Sequence, residues 1–257
     1  MPEPIFPIDT AALIATACEA GEAILKIYNN PLQAEVVKLK SDASPLTLAD
    51  EASHAIITRN LHKLTPDIPV LSEEGRDIPY QERKNWEYYW CVDPLDGTKE
   101  FVNRNGEFTV NIALIHNQTP ILGVIYVPVS RELYFGSESD GAFKMDGQGN
   151  KTLLKTNKIS SEWTAVGSRT HSSLEEEQEL AKYPVSRKVS VGSSIKFCLL
   201  AEGLAQIYYR HGPTMEWDTA AGQAILTYSG GKVTTPEGLP FLYNKESLLN
   251  GPFLCSV

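Results

Sequence analysis

The stretch Trp90-Cys91-Val92-Asp93-Pro94-Leu95-Asp96-Gly97-Thr98-Lys99-Glu100-Phe101 sets two carboxylates, a Pro and Gly turn signal and a hydroxyl at the end of an apolar run. Hard cations such as Mg²⁺ take oxygen ligands, so carboxylates gathered where a strand stops are suited to hold one. Pro94 has no N–H and confines Asp93 to extended geometry. The spacing predicts that the chain leaves its strand at Asp93 and turns. Both carboxylates, and the Leu95 carbonyl with them, then face one crevice. An Asp-Pro-x-Asp-Gly surface turn would use the same residues. The aromatic-rich run upstream and Thr98 directly after Gly97 argue for a site instead. Aspartyl-phosphate phosphatases need a nucleophilic Asp two residues before an acid Asp. Here Pro94 and Leu95 separate Asp93 from Asp96, which favours a metal-activated water.

Three further features extend the pattern. Glu73-Glu74 follows the apolar run Ile68-Pro69-Val70-Leu71; adjacent glutamates on a loop are most simply solvated. Thr47-Leu48-Ala49-Asp50 reads as a capping box at a helix start, and the same Asp50 can share a proton path with Thr98. The two roles are compatible. Asp218 stands where a late helix is expected to open, and the simple reading is a cap. Trp217 gives it a partly buried setting, in which a carboxylate needs a partner such as a metal.

The chain has 257 residues, 42% of them apolar and 21% charged, with 23 Lys plus Arg against 32 Asp plus Glu and a net charge of −9. This is a globular composition with enough length for one large core or two lobes. An acidic chain is unsuited to a nucleic-acid polymer, which needs basic surface. The cysteines, Cys18, Cys91, Cys198 and Cys255, show no zinc-type spacing and read as reduced. Three of them fall in apolar surroundings, and Cys91, beside the motif, is weighed as a nucleophile only as a minor alternative. The N-terminus lacks the basic region of a signal peptide, and no apolar run reaches membrane-spanning length. A cytoplasmic protein is the expectation, with peripheral attachment to the cytoplasmic face of the inner membrane and the oligomeric state left open.

Periodicity predicts an amphipathic helix from Asp9 to Tyr28 with Ile14, Cys18, Gly21, Leu25 and Tyr28 on one face, and a second from Thr47 to about Leu64. Strands are expected at 68–71 and 86–92. An antiparallel series follows from Phe108 to Phe143, with a turn at Asn117 to Pro120. Beyond about 155 strand and helix alternate: strands at 163–166 and 205–209, a helix from Ser193 to Glu202 ended by Gly203, and one from Asp218 to Gly230-Gly231. Glu175-Glu176-Glu177 reads as a solvated face or loop. Two lobes are therefore expected, 1–154 (α+β) and 155–257 (α/β).

Taken together, Glu73-Glu74, Asp93 to Thr98 and Trp217-Asp218 resemble, in order, the pattern of the inositol monophosphatase superfamily of Mg²⁺-dependent, Li⁺-sensitive phosphatases. Within it the chain is most similar to the CysQ-type 3′(2′),5′-bisphosphate nucleotidases. The supporting stretches are Lys40-Ser41-Asp42, Ser44-Pro45-Leu46-Thr47, Val70 to Glu74, Lys99-Glu100-Phe101, Gly192 to Phe197 and Gly212-Pro213-Thr214. The resemblance implies an α/β (α+β) fold, a layered αβαβα sandwich of the inositol monophosphatase/fructose-1,6-bisphosphatase type. It implies roughly two or three Mg²⁺ ions and a small phosphorylated nucleotide substrate. The reaction would remove the 3′-phosphate of 3′-phosphoadenosine 5′-phosphate to give AMP, in sulfur assimilation and nucleotide recycling. The sulfated analogue is a further candidate substrate.

Carried over residue by residue, the metal ligands fall on Glu73, Asp93, the Leu95 carbonyl, Asp96 and Asp218, most of them in the first lobe and Asp218 in the second. The catalytic set falls on Asp50, Thr98 and Glu73. Substrate contacts fall on Glu73, Leu95, Asp96, Gly97, Thr98, Ser168, His171, Ser194, Lys196, Arg210 and Asp218. A second phosphate needs donors and positive charge, which singles out Lys196, Arg210 and the segment Ser168-Arg169-Thr170-His171. Lys196 can equally be an exposed helix residue. The alternatives are an inositol mono- or polyphosphate phosphatase and a non-catalytic nucleotide-binding regulator.

Overall fold

A computed structural model describes residues 8–30, 37–39, 45–156, 161–169 and 173–257. Its first layer is a helix pair, α1 (Thr10–Tyr28) and α2 (Leu48–Leu64). Asp9 caps α1 by accepting the Ala12 N–H. The buried stripe of α1 is Leu13, Thr16, Ala17, Ala20, Gly21 and Ile24, one position away from the face expected from the larger side chains. The small residues win because the helix lies close to the sheet: a Cβ on Gly21 would collide with the Tyr126 ring. Ile14, Cys18, Leu25 and Tyr28 flank that stripe, half-buried.

The second layer is a seven-stranded sheet in sequence order. It comprises β3 (Val70–Ser72), β4 (Tyr88–Asp96), β5 (Thr109–His116), β6 (Thr119–Val127), β7 (Glu132–Ser137), β8 (Gly141–Met145) and β9 (Lys151–Leu153). Only the β3–β4 pair is parallel. A hairpin of β1 (Val37–Leu39) and β2 (Pro45–Thr47) leads into α2. The central strands are apolar at nearly every position because both faces are covered. Along β5, Val110, Ile112 and Leu114 join the core under α1 and α2, while Ala113 and Ile115 join the core on the other side. This is the period-2 geometry of a strand.

The third layer is α6 (Ile195–Ala201) and α7 (Glu216–Tyr228). The numbering includes the short helices α3 (Tyr80–Arg83), α4 (Thr98–Val102) and α5 (Leu174–Leu180). Helix α7 lies across β4 to β7 at close range. A Cβ on Gly123 would strike the Ala221 carbonyl, and one on Gly136 would stand 2.6 Å from the Ile225 Cα. Glycine at those two strand positions lets the helix backbone approach.

The fourth layer is a five-stranded sheet of order β11-β10-β12-β16-β14: Val185–Ser190, Trp163–Gly167, Ile207–Arg210, Phe253–Ser256 and Lys232–Thr234. A two-stranded ladder pairs β13 (Thr214–Met215) with β15 (Leu249–Asn250). Helix α5 closes the outer face with Leu180 against Ala165, Ile207 and Tyr209. The layers therefore run αβαβα. The change from the first sheet to the second falls between Leu153 and Trp163, and one apolar cluster runs from Leu71 to Cys255 through both.

Candidate active site

The acidic motif departs from the expected turn. Strand β4 does not stop at Asp93 but continues to Asp96. Asp93 is opposite Asn111 and Asp96 opposite Thr109, so Pro94 and Leu95 stand against Val110 alone. This is a bulge, the position in a sheet that tolerates a proline. The Leu95 N–H folds back to Asp93 Oδ1 at 3.0 Å. Gly97 then takes φ +93, a left-handed value that glycine adopts without strain, and α4 starts at Thr98.

Neighbouring elements bring the other acids in. The parallel β3–β4 ladder extends one bond further, from the Glu73 N–H to the Val92 carbonyl at 3.1 Å, which sets Glu73 beside Asp93. Helix α7 begins at Glu216, two residues before the expected start. Asp218 sits in its first turn and accepts the Met215 N–H at 2.8 Å. Carboxylate oxygens of Glu73, Asp93 and Asp218 lie within 4.8 Å of one another. Burial, then the charges of Glu73, Asp96, Asp218 and Asp50, push Asp93 well above the usual carboxylate range. Burial, then Asp96, pushes Asp218 up as well. Asp96 is raised to about 6 by burial, against the pull of Lys196, the Ser194 N–H and Asn111. Acids of one sign held this close in a buried setting fit a divalent cation, which would offset the repulsion and desolvation that raise them.

Asp50 serves two sides. Its Oδ2 accepts the Thr47 N–H at 2.8 Å and the Thr47 hydroxyl at 2.6 Å. Its Oδ1 faces the Thr98 hydroxyl at 3.4 Å, which is also 3.4 Å from the Leu95 carbonyl. The capping box and the Thr98 pairing coexist. Ser53, one turn along α2, donates to the Pro94 carbonyl at 2.7 Å and ties the helix to the bulge.

Asp96, Gly97 and Asp218 open into a crevice also lined by Ser168, Lys196 and Arg210. Lys196 is buried, which excludes an exposed helix position. Its ammonium donates to the Ser193 carbonyl at 2.6 Å and the Val191 carbonyl at 3.3 Å. Burial lowers its pKa, and Asp96 opposes that shift. Arg210 is 8% exposed, and its Nε and Nη1 have no hydrogen-bond partner. The Glu176 carboxylate is 4.0 Å from Nη1. Glu176 is thus buried, not solvated, and it also accepts the His211 N–H at 3.1 Å. The Ser194 hydroxyl is buried and donates to Asn111 Oδ1 at 2.7 Å. Thr170 and His171 lie outside the described residues, as do residues 40–44 of the supporting stretches.

Sequence reasoning missed Thr109 and Asn111, whose side chains join Ser194 and Asp96. Polar residues at alternate positions of an apolar strand are the signal that marks them. It also missed Glu216. That carboxylate is fully buried and takes the Asn244 and Lys245 N–H groups at 2.8 and 3.0 Å and the Lys245 ammonium at 2.6 Å. This clamp fixes the turn that carries Asp218. Cys91 is buried with its thiol pushed up by burial, so it is no nucleophile. All four cysteines are free; Cys91, Cys198 and Cys255 are buried and Cys18 is half-buried.

Residues 7–253 match the sequence pattern of the inositol monophosphatase family. The chain belongs to the inositol monophosphatase family. It is 46% identical to the 3′(2′),5′-bisphosphate nucleotidase CysQ of Shigella flexneri, over 94% of this chain and 96% of the relative. It is 45% identical, over the same shares, to the protein of that name from Escherichia coli K12. Among solved structures it resembles CysQ from Bacteroides thetaiotaomicron, described as a bacterial member of the family. The TM-score is 0.87 and the identity 44%, covering 98% of both chains. The family is metal-dependent, and the acidic cluster of this member is a group that can hold a metal ion. No helix among the described residues is long and apolar enough to cross a membrane.

Proposed function

We propose that the chain is a Mg²⁺-dependent 3′(2′),5′-bisphosphate nucleotidase that hydrolyses 3′-phosphoadenosine 5′-phosphate to AMP and phosphate. The observation that carries this reading is the junction of two unlike sites in one crevice. Asp96 and Asp218 stand at the acidic end. At the other, Lys196 and Arg210 line the crevice, the Arg210 guanidinium buried with the Glu176 carboxylate 4.0 Å from its Nη1. A monophosphate needs only the acidic end with its cation. A second phosphate needs the cationic end, and a guanidinium is the side chain whose fork matches it.

Glu73, Asp93, the Leu95 carbonyl, Asp96 and Asp218 would hold the metal. When bound, Mg²⁺ supplies positive charge that favours ionised water and offsets charge on the leaving oxygen. Thr98 orients the attacking water and passes its proton to Asp50 Oδ1, which the Thr47 bonds hold in place. Acid–base help of this kind contributes about 10²–10⁴ in rate. Gly97 packs the motif turn against the wall beside the scissile phosphate, since a Cβ there would stand 3.1 Å from the Glu107 carbonyl oxygen and 3.3 Å from the Ser193 Cβ. Arg210 and Lys196 hold the 5′-phosphate and so select which ester meets the water.

Product identification tests the reading. Incubation with 3′-phosphoadenosine 5′-phosphate and Mg²⁺ yields AMP, and chelator stops the reaction. Formation of 3′-AMP instead would reverse the assigned orientation, and no turnover would remove the assignment.

A further inference from the structure

Glu107 belongs to no motif, yet three parts of the crevice wall meet on it. Its Oε2 accepts the Gly192 N–H at 2.8 Å. Its two oxygens take the Arg169 guanidinium, 2.6 Å from Nη2 and 3.3 Å from Nε. Arg169 Nη2 also reaches the Ser190 carbonyl at 3.4 Å. The Glu107 backbone is wedged in the same place. A Cβ on Gly192 would stand 2.8 Å from the Glu107 carbonyl oxygen, and one on Gly97 would stand 3.1 Å from it. The Asn105 side chain fixes the Glu107 N–H at 2.9 Å.

What Glu107 holds has chemical weight. The turn after Gly192 places Ser193 at φ +45, a conformation that a non-glycine residue keeps only when its surroundings impose it. The next N–H, that of Ser194, donates to Asp96. The Lys196 ammonium closes on the Ser193 carbonyl at 2.6 Å. Ser168, beside Arg169, lines the crevice with Gly192 and Ser193. The ion pair lies at the surface, with the Arg169 side chain exposed at 50% and that of Glu107 half-buried at 25%. Pairs of that kind add little to fold stability, so stability alone does not explain an arrangement that uses both carboxylate oxygens across the crevice wall.

We infer that Glu107 is a positioning residue for substrate. Clasped by Arg169 and the Gly192 N–H, it locks the wall made by Ser168 and Gly192 to Lys196 against the wall made by Gly97. Arg169 acts through Glu107 and does not itself bind phosphate. The inference rests on the nucleotidase reading of the crevice.

Glu107→Gln keeps an acceptor for Gly192 and loses the ion pair; Glu107→Ala loses both. Steady-state kinetics on 3′-phosphoadenosine 5′-phosphate are expected to show KM raised about tenfold for Glu107→Ala and less for Glu107→Gln, with kcat within about twofold. The melting temperature of Glu107→Gln stays near that of the wild type, since the Gly192 N–H keeps its acceptor. Arg169→Ala matches Glu107→Gln, and the double variant is no worse than either. Hydrogen exchange at the Gly192 amide accelerates in Glu107→Ala, a readout that needs no substrate. It separates failure of the clasp from failure of the nucleotidase reading. Unchanged exchange with KM within twofold of wild type would overturn the inference. So would an Arg169→Ala loss far above that of Glu107→Ala and additive with Glu107→Gln, which would make Arg169 a direct ligand.

Discussion

Asp93→Asn removes the charge at the centre of the acidic cluster while an amide oxygen keeps the bond from the Leu95 N–H. Oxygens of Glu73, Asp93 and Asp218 lie within 4.8 Å of one another, and at that separation two like charges repel by about 3.5 kcal/mol with an effective dielectric of about 20. Asp93 takes part in two such pairs. The folded chain relieves part of this by holding protons, since Asp93 and Asp218 are well above their ordinary range and Asp96 is raised to about 6. A net gain of about 2–4 kcal/mol is therefore expected for the D93N variant in chelator at neutral pH. In a chain of this size that is roughly 5–10 °C in melting temperature. A carboxyl with a raised folded pKa stabilises the fold fully below its unfolded value of about 4 and loses that contribution as pH climbs through the folded value. The wild type in chelator should thus lose stability from about pH 4 to beyond 6, and its gap to D93N should widen over that window. Calorimetry in EDTA across pH, repeated with excess Mg²⁺, measures both effects. Mg²⁺ should stabilise the wild type, most at the higher pH, and stabilise D93N far less. If D93N melts no higher than the wild type in EDTA, or gains as much from Mg²⁺, the acidic cluster is not a cation site under charge strain.

Thr98→Ala should lower kcat by about 10²–10⁴ with KM little changed; a KM rise at constant kcat would make Thr98 a binding residue. Arg210→Met should raise KM for the bisphosphate nucleotide by roughly 10- to 100-fold, the worth of a charge-assisted bond, and leave inositol 1-phosphate hydrolysis almost untouched; equal losses on both would assign Arg210 to the fold. Lys245→Ala leaves the buried Glu216 carboxylate without its ammonium, and about 3–5 kcal/mol of stability should go with it; calorimetry showing no loss would remove the clamp on the Asp218 turn. LiCl in the millimolar range should slow turnover relative to matched NaCl, and equal rates would separate this metal site from those of Li⁺-sensitive members.

The main helices and the antiparallel strands were legible because they carry long apolar patterns, while their stacking into αβαβα layers came from the family resemblance. Spacing alone marked Asp93 and Asp96; that Glu73 and Asp218 belong with them came from the resemblance of three motifs in order, and the fold brings oxygens of Glu73, Asp93 and Asp218 within 4.8 Å of one another. What stayed hidden was set by packing at a distance. The bulge at Pro94-Leu95 depends on Asp96 finding Thr109 across the ladder, which no local rule supplies. The buried face of α1 followed its small residues, because close approach to Tyr126 outweighed the larger side chains beside them. Glu176 looked solvated within a run of glutamates, and only the fold places it by Arg210. Glu216 sits next to the Trp217-Asp218 pair, yet its clamp closes only when Lys245 arrives from 29 residues downstream. In each case the missing information is a partner far away in sequence.

An acidic metal site and a cationic phosphate site in one crevice should make the bisphosphate nucleotide the preferred substrate. Phosphate release at fixed Mg²⁺ from 3′-phosphoadenosine 5′-phosphate, inositol 1-phosphate and AMP tests it most directly, read as kcat/KM. A clear preference for the bisphosphate nucleotide is expected, with AMP left intact as product. A preference for inositol 1-phosphate, or equal rates on all three, would contradict it.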